Sequence, residues 1–146
     1  MKRKASAVWQ GDLKSGKGKI STESGVLTST PYSFSTRFET NPGTNPEELI
    51  AAAHAGCFSM ALSAQLGNAQ LTPESINTTA TVTLEKQETG FTVTAVHLEV
   101  IGRVPTASEA AFKKAAEEAK TGCPISKLLN AKITMDVKLE TAAAVS

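Results

Sequence analysis

The sequence contains few of the residue types that are abundant in metal-binding or disulfide-rich proteins, and it has no large excess of the basic residues that are abundant in nucleic-acid-binding proteins. The chain has 146 residues with two cysteines, two histidines and one tryptophan, and its formal net charge is +1. This near-balance of charge gives no reason to expect binding to nucleic acid or to an anionic membrane surface. His54 and His97 do not belong to a cluster of several histidines and cysteines of the kind that binds zinc, so we expect no bound metal.

The chain also lacks a recognisable export signal. The basic residues at 2–4 are followed by a mixed segment rather than an apolar one. The apolar run Leu49–Leu66 is about as long as a membrane span, but it contains His54 and several other polar side chains, which favours a buried helix. We therefore expect a cytoplasmic protein without membrane contact. Permanent disulfides are rare in that compartment, so two thiols indicate either packing or redox chemistry.

The length fits a single domain over residues 1–146, with a flexible tail at about 141–146. Its amino-terminal part is rich in strand-forming residues over 5–10, 19–22 and 32–38, and turn-forming residues separate these stretches. The sequence therefore begins with three predicted strands.

A long helix is predicted next from its start signals. Asn45 can cap it, Pro46 suits its first position, and Glu48 stands where a capping box has its carboxylate. From Leu49 to Leu66 the residues are apolar almost all round the helix, which indicates burial on several faces.

The second half begins with the alternation of apolar and polar residues that is typical of strands. It runs over 76–84 and, after a turn at 88–90, over 91–100, with a change of phase near Ala95 that indicates a bulge. A helix with an apolar stripe over 112–119, a short helix and a last strand follow. The order βββ–α–ββ–α–α–β predicts an α+β fold.

The two cysteines are the main candidates for chemistry. Cys57 lies in the apolar helix, where a lone thiol is usually a small buried hydrophobic residue. Cys123 precedes Pro124 at the predicted start of the short helix, where backbone amides and the helix dipole favour a thiolate. The pair could be packing residues, a staple or a peroxide-reducing couple.

Two charged residues and one histidine are further candidates. Arg37 stands beside one apolar residue, Phe38, near the end of a predicted strand, and a surface arginine of this kind usually has no functional role. Because Glu48 already serves the capping box, Glu47 is either available for another role or a favourable charge at the helix start. His54 on an apolar helix is more typical of a satisfied core or interface residue than of a ligand.

A specific combination of motifs extends over nearly the whole chain. It comprises Gly16–Gly18, Ser21–Leu27, Thr36–Glu39, Gly43–Ile50, Ala52–Leu62 and Gly122–Ser126. This combination resembles the OsmC/Ohr family of thiol peroxidases. The position of Arg37, on the strand predicted before the central helix, is similar to the OsmC branch of that family rather than to the Ohr branch.

The resemblance implies an OsmC-like fold, in which mostly antiparallel sheets wrap around a long buried central helix in an intertwined homodimer. It also implies the reduction of organic hydroperoxides, and less efficiently of hydrogen peroxide, at the subunit interface. In this interpretation Cys57 is the peroxidatic thiol, Cys123 is the resolving thiol, and Arg37 with Glu47 is the activating pair. No cofactor is bound, and an external dithiol, such as lipoyl groups on carrier proteins, reduces the disulfide.

Elementary chemistry constrains these roles. A carboxylate beside a sulfur disfavours the thiolate, so Glu47 is expected to hold Arg37 in a bidentate pair while Arg37 faces the sulfur. Glu47 and Cys57 would lie about 15 Å apart along the helix, so we hypothesise that Glu47 and Arg37 serve Cys57 of the partner subunit. Apolar residues are expected to line the site and favour alkyl peroxides: Leu49, Ile50, Phe58 and Met60.

Two other functions fit the same cysteines. A non-catalytic redox sensor would oxidise the pair and change a partner contact, although no basic face or helix pair supports a DNA-binding repressor. A small-ligand carrier would use its cysteines only for packing. Reaction with a hydroperoxide, and recycling by a dithiol, would distinguish the three.

Overall fold

The computed structural model describes residues 1–141. It has the α+β architecture that the sequence predicts, and it divides into two compact units, which we call unit 1 (Met1–Leu49) and unit 2 (from Ile50 onward). The single domain over 1–146 remains a prediction. The predicted tail lies outside the described residues from 142 onward.

Unit 1 contains an antiparallel sheet in the order β1–β2–β3. Its strands are β1 (Ala5–Gln10), β2 (Lys17–Thr22) and β3 (Thr30–Tyr32). Gly18 in β2 pairs with Trp9 on one side and Tyr32 on the other, and a Cβ at this position would collide with both rings. The glycine therefore lets the two aromatic residues meet across the strand, with their ring centroids 5.6 Å apart.

The strand predicted over 32–38 is wrong beyond Tyr32, because α1 (Phe34–Phe38) is a short helix. The hydroxyl of Ser33 accepts a hydrogen bond from the Thr36 amide, and the hydroxyl of Thr36 accepts one from the Ser33 amide. This reciprocal capping box satisfies two amides at the helix start, and it overrides the strand preference of the aromatic residues. Arg37 consequently lies in the last turn of a helix rather than on a strand.

The long helix predicted by the sequence is α2 (Pro46–Asn68). Asn45 caps it, with its side-chain oxygen accepting from the Glu48 amide at 2.8 Å. By length and composition alone α2 could cross a membrane. Within unit 2 it buries a single stripe, formed by His54, Phe58, Leu62 and Leu66. Burial on several faces is not seen within one chain, since Met60 is 77% exposed.

Unit 2 contains a second sheet, in the order β4–β5–β6. The strands are β4 (Ser75–Gln87), β5 (Gly90–Arg103) and β6 (Lys132–Glu140). β4 and β5 form an antiparallel hairpin, whereas β5 and β6 are parallel. Thr83 pairs with Ala95 and Leu84 pairs with Val93, so the extra residue is Thr94. The bulge lies one residue from where the change of phase predicts it.

Two further helices complete unit 2, namely α3 (Glu109–Gly122) and α4 (Pro124–Leu128). Ser108 caps α3, with its side-chain oxygen accepting from the Ala111 amide. The core combines the buried stripe of α2 with apolar residues of β5 and α3, which are Val96, Leu98, Val100, Phe112, Ala115, Ala116 and Ala119. Cys123 belongs to the same core and is 0% exposed.

Because α3 packs closely on β5, we expect a side chain added at Gly102 to destabilise the fold. A Cβ at this residue would lie 2.5 Å from Cε2 of Phe112, whose ring is fully buried. Gly102→Ala is therefore expected to lower the free energy of unfolding by about 1–3 kcal/mol in a denaturant titration. Gly122→Ala is the control, because a Cβ there meets nothing within 4 Å. Equal stability of the Gly102 variant and the wild type would contradict this packing.

Candidate active site

The structure brings together the only two cysteines of the chain, which are 66 positions apart. Their sulfur atoms lie 2.9 Å from each other, and both thiols are free. Cys57 is half-buried in α2, beside the stripe that packs into the core, and Cys123 is fully buried. Two thiols in direct contact can form a disulfide with only a small movement of their side chains.

Cys123 occupies the single residue between α3 and α4. Its amide donates to the Ala119 carbonyl at 2.9 Å, and its own carbonyl accepts from the Lys127 amide at 3.0 Å, so it ends one helix and begins the next. Pro124 follows at the first position of α4, where it has no amide hydrogen to leave unpaired. The Gly-Cys-Pro motif thereby fixes the backbone that carries the buried sulfur.

The two thiols differ in acidity. Burial raises the pKa of Cys57, and its contact with Cys123 raises it further. Burial opposes ionisation of Cys123 as well, but the contact with Cys57 and the neighbouring groups of Ser126 and Ile125 outweigh it and lower the pKa of Cys123. Once one sulfur ionises, the remaining S–H donates to it. Unit 2 on its own therefore favours a thiolate at Cys123 rather than at Cys57.

Unit 1 contains the other two predicted site residues, in direct contact with each other. Nε of Arg37 donates to both carboxylate oxygens of Glu47 at 3.1 Å, and Nη2 donates to Oε1 at 2.7 Å. The Glu47 side chain is 13% exposed and that of Arg37 is 35% exposed. The ring of Phe38 lies 5.0 Å from the guanidinium carbon. The expected bidentate pair is thus present between the end of α1 and the start of α2.

The burial of His54 bears out its interpretation as a core residue, but sequence reasoning did not predict that Ser126 would be its partner beside the cysteines. Nε2 of His54 lies 2.8 Å from Oγ of Ser126, and His54 is fully buried. Burial lowers the pKa of His54, so its imidazole is neutral at physiological pH. The available signal was spacing, since His54 comes three residues before Cys57 and Ser126 comes three residues after Cys123. Their meeting depends on how α4 packs against α2, which no local pattern encodes.

Two other expectations can be compared with the structure. Phe58, one of the apolar residues expected to line the site, is fully buried in the core, whereas Met60 is exposed. Among residues 1–141, no three His, Cys, Asp or Glu side chains are grouped so that they could hold a metal ion.

The family of OsmC-like proteins matches residues 39–138 of the chain. Peroxiredoxin OsmC of Escherichia coli strain K12 is 53% identical over 139 residues, which cover 95% of this chain and 97% of that protein. The chain belongs to the OsmC family. The family resemblance drawn from the motifs is therefore confirmed.

Solved structures share the OsmC fold at much lower sequence identity. An OsmC-like protein of unknown function from Vibrio cholerae has a TM-score of 0.76 at 18% identity, over 94% of this chain and 99% of that one. OhrB, an organic hydroperoxide resistance protein of Bacillus subtilis, has a TM-score of 0.69 at 23% identity, over 92% of this chain and 98% of that one. These neighbours confirm the predicted fold class.

Proposed function

We propose that this protein is a cysteine-based peroxidase that reduces organic hydroperoxides, and less efficiently hydrogen peroxide, to alcohols or water. The observation that carries the proposal is the direct contact between the Cys57 and Cys123 sulfurs at 2.9 Å. The identity of 53% to Peroxiredoxin OsmC over 95% of the chain bears out the thiol peroxidase class predicted from the sequence.

The reaction uses each thiol once. The Cys57 thiolate attacks the terminal oxygen of the hydroperoxide, the O–O bond breaks, and the alkoxide takes up a proton and leaves as an alcohol. Cys57 is then a sulfenic acid, which Cys123 attacks, so that an S–S bond forms and water leaves. An external dithiol returns both sulfurs to thiols. We assign the peroxidatic role to Cys57, which is partly exposed, and the resolving role to Cys123, which is buried.

Cys57 needs a cation, because its own surroundings raise its pKa. A thiol with an ordinary pKa is only a few per cent thiolate at pH 7, and burial lowers that fraction. Arg37 is the proposed source of charge. Glu47 receives hydrogen bonds from Nε and Nη2, which leaves Nη1 to donate to the sulfur and to the peroxide oxygen. Glu47 orients the guanidinium and is not itself the activator, since a carboxylate beside sulfur would oppose ionisation.

A homodimer would bring the cation and the sulfur together. Glu47 precedes Cys57 by ten positions on α2, a rise of about 15 Å. Outside its buried stripe α2 exposes small or apolar residues, including Met60, and a second copy of the chain would cover them. We therefore propose that Arg37 and Glu47 act on Cys57 of the partner subunit, at an interface that also supplies an apolar lining.

The remaining parts of the proposal concern the reductant and the compartment. The reducing dithiol is external, with lipoyl groups on carrier proteins as the first candidates. No metal or cofactor takes part in the cycle, and a thiol cycle of this kind suits the reducing cytoplasm.

A titration with hydroperoxide tests this function. Reduced protein treated with t-butyl hydroperoxide is expected to lose both thiols rapidly, to release one equivalent of t-butanol and to be regenerated by dihydrolipoamide. A thiol assay measures the loss of the two thiols, and gas chromatography measures the t-butanol released. Oxidation without recycling would instead favour a redox sensor, and the absence of any reaction would favour a carrier whose cysteines only pack.

A comparison of substrates tests the apolar site. We expect kcat/KM for cumene hydroperoxide to exceed that for hydrogen peroxide by at least about tenfold. Burial of substrate surface equal to only two methylene groups in the transition state is enough to account for this factor. Steady-state peroxide consumption coupled to a dithiol measures both values. Equal values for the two substrates would contradict an apolar site.

A further inference from the structure

We propose that Ser126 is a catalytic residue of the resolving step, and that buried His54 is a positioning residue that holds the Ser126 hydroxyl against the Cys123 sulfur. This inference rests on the proposed function and extends it. The resemblance to the family concerns Cys57, Cys123, Arg37 and Glu47, whereas the geometry points to two further side chains.

The groups that act on the Cys123 sulfur come from two helices. From α2 comes the Cys57 thiol, 2.9 Å away. From α4 come the amides of Ile125 and Ser126 and the hydroxyl of Ser126, all of which favour the thiolate form of Cys123. His54 of α2 does not act on the sulfur directly but lies 2.8 Å from the Ser126 oxygen. The four side chains thus form a continuous row from His54 through Ser126 and Cys123 to Cys57.

Burial of His54 determines which way the hydrogen bonds run along this row. A neutral imidazole has one N–H, and among the described residues Nδ1 is buried without a hydrogen-bond partner. A proton on Nδ1 would leave a buried donor unpaired, which is rarer in proteins than an unpaired acceptor. With the proton on Nε2, His54 donates to the Ser126 oxygen. The Ser126 O–H is then directed away from His54, and we infer that it donates to the Cys123 sulfur, on which Ser126 acts.

This arrangement assists the resolving reaction without supplying a proton or an electron. The Cys123 thiolate attacks the sulfur of the Cys57 sulfenic acid, the S–S bond forms, and the S–O bond breaks. The hydroxide that leaves takes up the proton that Cys123 has lost, so water is the product. Ser126 increases the fraction of Cys123 that is thiolate, and His54 prevents the hydroxyl from turning away. Both effects oppose the burial of Cys123, which by itself disfavours the thiolate.

The test follows the lifetime of the Cys57 sulfenic acid. Reduced protein is mixed with t-butyl hydroperoxide, the sulfenic acid is trapped with dimedone at increasing times, and the adduct is quantified by mass spectrometry from pH 5 to 9. Ser126→Ala is expected to shift the pH profile of sulfenic acid decay upward and to slow decay at neutral pH by about two- to tenfold, the range that the loss of one hydrogen bond accounts for. The rate at which the sulfenic acid forms should not change.

His54 is tested by a pair of variants that keep its volume approximately. His54→Phe removes the donor and is expected to shift the profile in the same direction as Ser126→Ala, whereas His54→Gln keeps a side-chain N–H and should restore most of the wild-type profile. Ser59→Ala is the control, because this half-buried serine on α2 donates to the Ala55 carbonyl at 2.8 Å and also contacts Thr78.

The outcomes separate this inference from the function on which it rests. If peroxide causes neither a dimedone adduct nor the loss of the two thiols in the wild-type protein, the proposed peroxidase cycle fails. If the adduct forms but its decay keeps the wild-type pH profile in Ser126→Ala, the role of Ser126 is overturned. The role of His54 is overturned if the pH profile of sulfenic acid decay is unchanged in His54→Phe. It is also overturned if Ser59→Ala shifts that profile as far as His54→Phe does.

Discussion

Replacing Cys57 by serine is expected to reduce hydroperoxide turnover by on the order of 10³–10⁶-fold, the range seen when an enzyme loses its nucleophile. A serine hydroxyl is far too weakly acidic to attack the O–O bond at neutral pH, and no sulfenic acid can form. Peroxide consumption in the presence of excess dihydrolipoamide measures the loss. A variant that keeps more than a tenth of the wild-type rate would show that Cys57 is not the peroxidatic residue.

Cys123→Ser is the matched variant, because it removes the other sulfur of the same contact. It should react once with peroxide at a rate close to that of the wild type. Without a resolving thiol the Cys57 sulfenic acid then persists and is oxidised further to a sulfinic acid, which intact-mass spectrometry detects as two added oxygens. Normal cycling of this variant would mean that an external thiol resolves the sulfenic acid, and the role assigned to Cys123 would be wrong.

Much of the fold could be predicted because its signals are local. The start of α2 depends on Asn45 and Pro46, which are adjacent in the sequence, and the alternation of β4 reflects a strand with one face on the core. The same reasoning failed at Phe34–Phe38, where aromatic residues favour a strand but a capping box between Ser33 and Thr36 forms a helix.

The site was only partly predictable, and for a physical reason. Motif resemblance singled out Cys57 and Cys123, and the structure places their sulfurs in contact. The neighbours of those sulfurs come from tertiary packing, so the matching distances of His54 and Ser126 from the two cysteines could not by themselves show that these side chains meet. The lowered pKa of Cys123 agrees with the sequence-based expectation for a thiol at a helix start, whereas the raised pKa of Cys57 was not predictable, because burial and the contact between the sulfurs decide it.

The order of acidity within one chain has a functional consequence. A peroxidatic thiol must be ionised before the substrate arrives, whereas unit 2 favours the thiolate at Cys123. A guanidinium close to Cys57 would reverse this order, since an opposite charge within about 4–6 Å lowers a thiol pKa by one to three units. In the proposed mechanism, activity therefore requires Arg37 to reach a Cys57, and the question is which subunit supplies it.

Mixed dimers answer that question. Arg37→Ala alone is expected to lower kcat/KM at least about 30-fold, because the thiolate fraction of Cys57 falls when the cation is removed. Cys57→Ser alone is inactive. Two differently tagged chains, each carrying one of these substitutions, are coexpressed, and the mixed dimer is purified on both tags. If the site is shared between subunits, Cys57 of the Arg37→Ala chain then faces the intact Arg37 of its partner. We expect this dimer to recover about half of the wild-type turnover, since one of its two sites is complete.

The converse arrangement predicts the opposite result with the same proteins. If Arg37 served Cys57 of its own chain, the mixed dimer would contain no complete site and would be as inactive as its parents. Arg103→Ala is the control for the loss of an arginine–glutamate pair, because Arg103 and Glu140 form an ion pair at 3.2 Å in unit 2. This substitution should leave turnover unchanged. A wild-type protein that sediments as a monomer with full turnover would contradict the shared site altogether, since a monomer has no partner to supply the guanidinium.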